Sequence, residues 1–260
     1  MIEKNTFIPF LMAGYPTLAA SEHLASAVLS SGVRVLELGV PFSDPVADGP
    51  TIQRASAVAL QQNVTLTTVL SMVERLVARH PSAKIILFTY LNPILKMDLG
   101  KYVSAAAKAG VAATLTVDLP PEEAGPYLSL HQAAKLQTVF LAAPTTSAQR
   151  LRLVDRSASA FVYYVSRLGV TGAQQGLSET LGSELKDLRK TVQKPVAVGF
   201  GLSTPAQVLE VLQLSEGAVV GSHFLNVLAQ ARDLVHAETT ICDFVRSVLT
   251  ATGQGPSFFL

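Results

Sequence analysis

The stretch PVAVGFGLSTPAQVLEVLQLSEGAVVGSHF (Pro195–Phe224) holds two short apolar runs with a helix-patterned segment between them. The runs PVAVGF, from Pro195, and GAVVGS, from Gly217, carry apolar residues on both faces. Parallel strands covered by helices read this way. The intervening STPAQVLEVLQL opens with Thr204 as a helix N-cap and Pro205 at the first helical position, where a missing N–H is no loss. Strand, helix and strand follow one another without a linker. How often the chain repeats this unit decides its architecture.

Working outward, six more strand-like runs appear: FIPFLMA from Phe7, VRVLELG from Val33, KIILFTY from Lys84, VAATLTVDL from Val111, QTVFLAA from Gln137 and AFVYYVS from Ala160. Between them the period lengthens. Leu66, Val69, Leu70, Val73, Leu76 and Val77 form the stripe of an amphipathic helix. Eight strand-and-helix cycles in 260 residues match a closed (β/α)8 TIM barrel better than an open doubly wound sheet, which is the alternative. No linker, composition shift or low-complexity segment divides the chain, so residues 1–260 are read as one domain. The tail TATGQGPSFFL departs from the pattern from about residue 251, and its structure is left open.

Composition narrows the function. Hydrophobic residues make up 49% of the chain, and 20 basic against 19 acidic side chains give a net charge of +1. There is no basic block and no tryptophan, unlike a nucleic-acid or membrane-surface protein. The one cysteine, Cys242, sits among Ile241, Phe244 and Val245 and reads as a buried helix thiol. No apolar run approaches the roughly 20 residues of a membrane helix. The opening MIEKNTFIPFLMAG, with Glu3 beside Lys4 and Pro9 and Gly14 interrupting the apolar run, is read as a first strand and not a signal peptide. A cytoplasmic location is expected.

In such a barrel chemistry gathers at the C-terminal ends of the strands. There the run VRVLELG carries Glu37 between Leu36 and Leu38, with no cation in the same strand placed to pair with it. A strand-end glutamate can be solvated or bridged to another strand. It can also be a carboxyl whose pKa desolvation raises until it donates and accepts protons. The following PFSDPVADGP brings Asp44 and Asp48 on a loop stiffened by Pro41, Pro45 and Pro50, with Gly49 allowing a tight turn. Either aspartate alone could serve a turn or a cap; after a strand-end glutamate they suggest acid and base. Glycines then recur after the last three strands, in SRLGVTGAQQG, VGFGLSTP and VVGSHF. Glycine there often serves only the turn, but three consecutive loops suggest backbone N–H groups around a phosphate, with Ser222 adding a hydroxyl.

Absences count too. Lys84 and Lys194 sit at strand beginnings and Lys96 lies well into a loop, so no lysine is placed for a Schiff base. His23, His80, His131, His223 and His236 are scattered, mostly on helical segments, and suit surface or capping roles better than a metal cluster. No G-x-G-x-x-G follows the first strand. Carboxylate acid–base chemistry on a phosphorylated substrate remains.

The segments FIPFLMAGYP, LELGVPFSDPVADGPTIQ, YLNP, VDLP, SRLGVTG, GFGLSTP and VGS, in this order and spacing, resemble the tryptophan synthase α subunit family from about Phe7 to the last helix. The resemblance implies a (β/α)8 barrel and a lyase that cleaves indole-3-glycerol phosphate to indole and glyceraldehyde 3-phosphate. It implies catalytic roles for Glu37 and Asp48, with Glu37 protonated and Asp48 ionised. Tyr163 would lie beside the glutamate, Phe88 and Phe200 would line the indole pocket, and Thr171 would sit on a loop that closes over the substrate. Gly172, Gly201, Gly221 and Ser222 would hold the phosphate. Pro41 and Asp44 would lie on a second loop, which meets a β subunit in an α2β2 assembly. Pyridoxal phosphate would belong to that partner, and this chain would need no cofactor of its own. Members of that family commonly carry a further dozen or so residues that form a helix across the barrel bottom, whereas here the first strand begins almost at once; if that helix is absent, the bottom must be covered otherwise or stay partly open. The closing PSFFL is unfamiliar and could supply that cover. A weak barrel retained to regulate a β partner is the competing reading, though Glu37 and Asp48 are both kept. A phosphosugar isomerase is disfavoured by Phe88 and Phe200.

Overall fold

A computed structural model describes residues 1–166, 177–199 and 201–254. Eight parallel strands close in sequence order into a barrel: β1 (Thr6–Met12), β2 (Val35–Gly39), β3 (Lys84–Thr89), β4 (Ala113–Thr116), β5 (Gln137–Ala142), β6 (Phe161–Val165), β7 (Val196–Gly199) and β8 (Gly217–Val220). Each apolar run of the sequence supplies one of them, and β1 pairs with β8, which rules out the open sheet.

Eleven helices are seen among the described residues, more than one per strand. They are α1 (Leu18–Ser30), α2 (Pro50–Gln61), α3 (Leu66–Arg79), α4 (Leu91–Met97), α5 (Leu99–Lys108), α6 (Gly125–Ala133), α7 (Ala148–Ser157), α8 (Leu177–Leu188), α9 (Pro205–Leu214), α10 (Ser222–Gln230) and α11 (Leu234–Ala251). The connections after β2, β3 and β8 each hold two. Asn63, at φ 58°, breaks α2 from α3, and Asp98, at φ 79°, turns α4 into α5 and caps it through Lys101 N–H. Lys96 therefore lies on a helix and not in a loop. Thr204 caps α9 in a reciprocal pair with Gln207, with Pro205 in the first turn.

Strand residues divide by parity. Leu36, Leu38, Ile85 and Leu87 pack outward against the helices, whereas Ile8, Phe10, Val35, Ile86 and Phe161 fill the barrel. This alternation decides where Glu37 points. It shares the inner face with Val35 and pairs in register with Phe10 on β1 and Ile86 on β3.

The bottom of the barrel is covered by the first residues of the chain. Ile2 is buried and belongs to the inner cluster. Asn5, at φ 69°, reverses the backbone, and Thr6 Oγ1 both accepts from Glu3 N–H (2.9 Å) and donates to Glu3 C=O (2.7 Å). The segment PSFFL lies outside the described residues.

Besides Lys96, two residues depart from their sequence reading. Gly49 makes no tight turn: it is extended (φ −74°, ψ 165°) and is the N-cap of α2. His131 is not on the surface. It is buried behind β4, stacked on Tyr127 at 3.7 Å, with Nε2 at 3.0 Å from Thr114 Oγ1 and Nδ1 at 2.8 Å from Tyr127 C=O. Burial lowers its pKa to about 4, so the imidazole is neutral and structural.

Candidate active site

At the C-terminal mouth of the barrel lies a cavity of about 290 Å³. Phe10, Glu37, Phe88 and Tyr163 form its floor and walls, Gly49, Pro50, Thr51 and Ile52 one rim, and Gly201, Val219, Gly221 and Ser222 the other. Five of the residues singled out from sequence other than Asp48 thus meet at one place: Phe88, Tyr163, Gly201, Gly221 and Ser222. Glu37 joins them from the barrel interior. Thr171, Gly172 and Phe200 lie outside the described residues.

Glu37 is 2% exposed, and its Oε1 has no hydrogen-bond partner among the described residues. Its flanking side chains, Phe10 and Ile86, offer neither charge nor donor. Burial first, and then the negative charge of Asp48, pushes its carboxyl up to about 8. A carboxyl so placed is protonated at neutral pH, which avoids the several kcal/mol that burying an unpaired charge would cost.

Asp48 is not part of the cavity wall itself. It precedes Gly49 on the rim, close enough to Glu37 and Tyr163 to raise the pKa of both. Burial raises its own carboxyl to about 6, against the opposing effect of a hydrogen bond from the Tyr90 hydroxyl at 3.0 Å. Both carboxyls are therefore raised, but by different amounts. Between about 6 and about 8 the pair favours one proton, on Glu37.

Glycines shape the walls. Phe10 and Phe88 meet edge to face, with centroids 5.3 Å apart, across Gly39. A Cβ on Gly39 would come within 2.7 Å of Phe10 Cζ. Tyr163 lies against Gly199, where a Cβ would overlap its hydroxyl and stand 2.7 Å from Cζ. Gly201 adopts φ 77°, a left-handed conformation that glycine takes without strain.

Two helices begin at the rim. The N-cap residues Gly49 of α2 and Gly221 of α10 provide no side-chain cap, and neither first turn carries an acidic residue. The first backbone N–H groups of a helix have no intrahelical acceptor, and its dipole favours an anion there. Thr51 and Asn226 tie the two helices together by a 3.2 Å hydrogen bond. The α10 end, with Ser222 and the left-handed Gly201, suits a phosphate.

Pro41 and Asp44 stand apart from the cavity. Pro41 lines a separate groove with Phe42, Val64 and Pro93, and exposed Asp44 accepts from its neighbour Ser43 (2.5 Å). Sequence reasoning gave Pro50 only the role of stiffening the loop, and it missed the rim residues Thr51 and Ile52, and Phe10 and Tyr90. Phe10 had a signal in the parity of β1. Tyr90, in the YLNP segment, had one in its place directly after a strand.

A (β/α)8 barrel whose mouth holds a buried carboxyl unpaired among the described residues, an aromatic wall and uncapped helix ends falls into a class: barrels whose mouth could combine an acid–base group with room for a ring and an anion. Comparison with known proteins narrows this. The family model described as tryptophan synthase alpha chain matches residues 2–250. The tryptophan synthase alpha chain of Pelobacter propionicus is 44% identical over 255 residues, covering 97% of this chain and 95% of that one. That of Geobacter sulfurreducens is 45% identical over 219 residues, covering 84% and 83%. Among solved structures, one described as the structural basis of mutual activation of the tryptophan synthase α2β2 complex from Pyrococcus furiosus superposes with a TM-score of 0.88 at 34% identity. It covers 96% of this chain and 100% of that one. Tryptophan synthase subunit alpha from Legionella pneumophila gives 0.87 at 32% identity, covering 95% and 92%. The chain belongs to the tryptophan synthase alpha chain family.

Proposed function

We propose that this chain is the α subunit of a tryptophan synthase, a carbon–carbon lyase that cleaves indole-3-glycerol phosphate to indole and glyceraldehyde 3-phosphate. The observation that carries the reading is Glu37: a carboxyl buried on the inner face of β2, lining the cavity, with one oxygen unpartnered among the described residues. The competing reading, a barrel kept only to bind ligands and regulate a partner, gives no reason to retain so costly a group.

The reaction follows from the pair of carboxyls. An indole carbanion is too poor a leaving group, so C3 must be protonated before its bond to the glycerol chain breaks. Glu37, protonated at neutral pH, gives C3 that proton and becomes a carboxylate. Positive charge then develops at the ring nitrogen, and ionised Asp48 accepts a hydrogen bond from that N–H. Glu37 next takes the proton of the hydroxyl on the glycerol carbon bonded to C3. That oxygen's electrons form the aldehyde, the carbon–carbon bond breaks, and its electron pair returns to the ring to give indole. Glu37 ends protonated, as it began.

The remaining residues bind and orient. Phe88 and Tyr163 offer the ring apolar walls, and Phe200 would add to them. Ser222, Gly201 and Gly221 receive the phosphate at the N-terminus of α10; Gly172 would add to them and Thr171 would contact the substrate, both from outside the described residues. Product indole would pass to a β subunit in an α2β2 assembly, with Pro41 and Asp44 on the loop facing it; pyridoxal phosphate would belong to that subunit. Among the described residues no helix is long and apolar enough to cross a membrane, and a cytoplasmic enzyme fits this biosynthetic role.

The test is to incubate the purified chain with indole-3-glycerol phosphate, with and without a tryptophan synthase β subunit, and measure indole. Indole release that disappears in Glu37→Gln is the expected result. No indole under either condition would overturn the reading.

A further inference from the structure

Asp48 can stabilise a developing cation only if it is held in place and kept ionised. We propose that Tyr90, directly after β3, is a positioning residue for the proposed reaction, its hydroxyl fixing both the Asp48 carboxylate and the loop that carries it. The inference rests on the lyase reading and adds to it a residue that does not line the cavity.

Tyr90 is 1% exposed, and its ring packs on Phe42 with centroids 5.0 Å apart. Its hydroxyl accepts from the Ala47 backbone N–H at 3.1 Å and donates to Asp48 Oδ2 at 3.0 Å. One oxygen therefore uses both its acceptor and its donor capacity on consecutive residues of a single loop. Burial raises the phenol's pKa, so it keeps the proton it donates.

The other restraints at Asp48 and the residues just before it act on the backbone. Val46 N–H bonds to Asp44 C=O at 2.8 Å and Asp48 N–H to Pro45 C=O at 3.0 Å, both within the turn. Gln53 Nε2 holds the Asp48 carbonyl at 2.9 Å. Among the described residues, Tyr90 alone donates to the Asp48 side chain. The bond engages Oδ2 and leaves Oδ1 to accept from a substrate N–H. It also opposes the effect of burial, since a donor on the ionised form favours that form.

Tyr90 could instead be only a core aromatic whose hydroxyl happens to find partners. Tyr90→Phe separates the two ideas, because it keeps the ring on Phe42 and removes just the oxygen. Indole release by wild type and variant would be measured from pH 5 to 9, together with the affinity for sn-glycerol 3-phosphate, a probe of the phosphate end. The expected fall in kcat is on the order of tenfold to a hundredfold, the rate equivalent of one hydrogen bond to a charged group. KM and glycerol phosphate affinity should stay within about twofold. The acid limb of the rate profile should move to higher pH, so that raising the pH recovers part of the loss. An unchanged kcat with an unmoved acid limb would overturn the proposal. So would a parallel loss of kcat and phosphate affinity, which would make Tyr90 a support of the fold. A wild-type chain that releases no indole would remove the lyase reading itself. Carboxyl ¹³C titration of Asp48, which needs no turnover, would then decide the positioning claim: a higher midpoint in Tyr90→Phe supports it, and an unmoved midpoint ends it.

Discussion

Replacing Glu37 by glutamine should cut activity steeply and, at alkaline pH, make the protein more stable than wild type. The magnitude follows from the site. Glu37 is 2% exposed between Phe10 and Ile86, and its carboxyl is raised from 4.5 to about 8. At about 1.4 kcal/mol per pH unit, that interval corresponds to about 5 kcal/mol, with no discount for solvent because the group is buried. The sign is set by which state holds the proton. Between pH 4.5 and about 8 the folded chain keeps a proton that the unfolded chain has released. Stability is therefore highest below this window, falls as pH rises through it, and levels off above it. Glutamine is neutral throughout and nearly the same shape, so the variant escapes this loss.

Urea unfolding of both proteins from pH 5 to 9, followed by circular dichroism, measures the difference. The stability of wild type relative to Glu37→Gln should fall by about 3–5 kcal/mol across that range. Indole release by the variant should fall by roughly 10² to 10⁴-fold, the usual contribution of a general acid–base group. A stability difference constant to within about 1 kcal/mol would refute the reasoning, because a carboxyl that titrates alike in both states is not desolvated.

The pH profile of indole release should be bell-shaped, rising as Asp48 ionises near 6 and falling as Glu37 loses its proton near 8; a flat profile from 5 to 9 would contradict the assignment of the pair. Asp48→Asn should lower kcat by about 10² to 10³-fold while leaving the affinity for sn-glycerol 3-phosphate, measured by calorimetry, unchanged. Gly199→Ala should displace the Tyr163 ring, costing about 1–3 kcal/mol in urea unfolding and most of the activity. Ile2→Ala should cost about 2–5 kcal/mol in the same assay, yet leave kcat and KM near wild type, because Ile2 packs at the opposite end of the barrel from the cavity.

The strands were legible because a parallel strand buried on both faces leaves a short, nearly unbroken apolar run. Each such run became a strand of the barrel. Glu37 stood out for the same reason, as a carboxylate between Leu36 and Leu38. The helix α3 showed in its stripe from Leu66 to Val77, but that β2, β3 and β8 are each followed by two helices was less visible, since the breaks depend on single left-handed turns at Asn63 and Asp98 or on a cap such as Asp233, which carry no periodicity. His131 was misread because its partners, Thr114 and Tyr127, come from a strand and from its own helix and converge only in three dimensions. Tyr90 illustrates the same limit. Local sequence reports its apolar environment, but the partners of its hydroxyl are chosen by how the loop after β2 folds over β3.

Glycine has a second use here that loop motifs do not reveal. In many barrels large branched side chains pack the interior in layers. Near the mouth of this one, aromatic rings lie against glycines at or just beyond the strand ends instead. Phe10 leans over Gly39 on one side and Gly221 on the other, where an added Cβ would stand 3.2 Å from its Cδ1, and Tyr163 lies against Gly199. None of these three glycines needs a left-handed backbone; what they provide is room for a ring to lie along the barrel wall. With the rings drawn to the wall, the space above Glu37 stays open as a cavity of about 290 Å³. The same rings keep water and cations from the carboxyl, and that desolvation raises its pKa. Cavity and proton donor thus share one cause, so a Cβ at Gly39 or Gly199 would disturb binding and acid–base chemistry together, whereas a change at the barrel bottom would disturb neither.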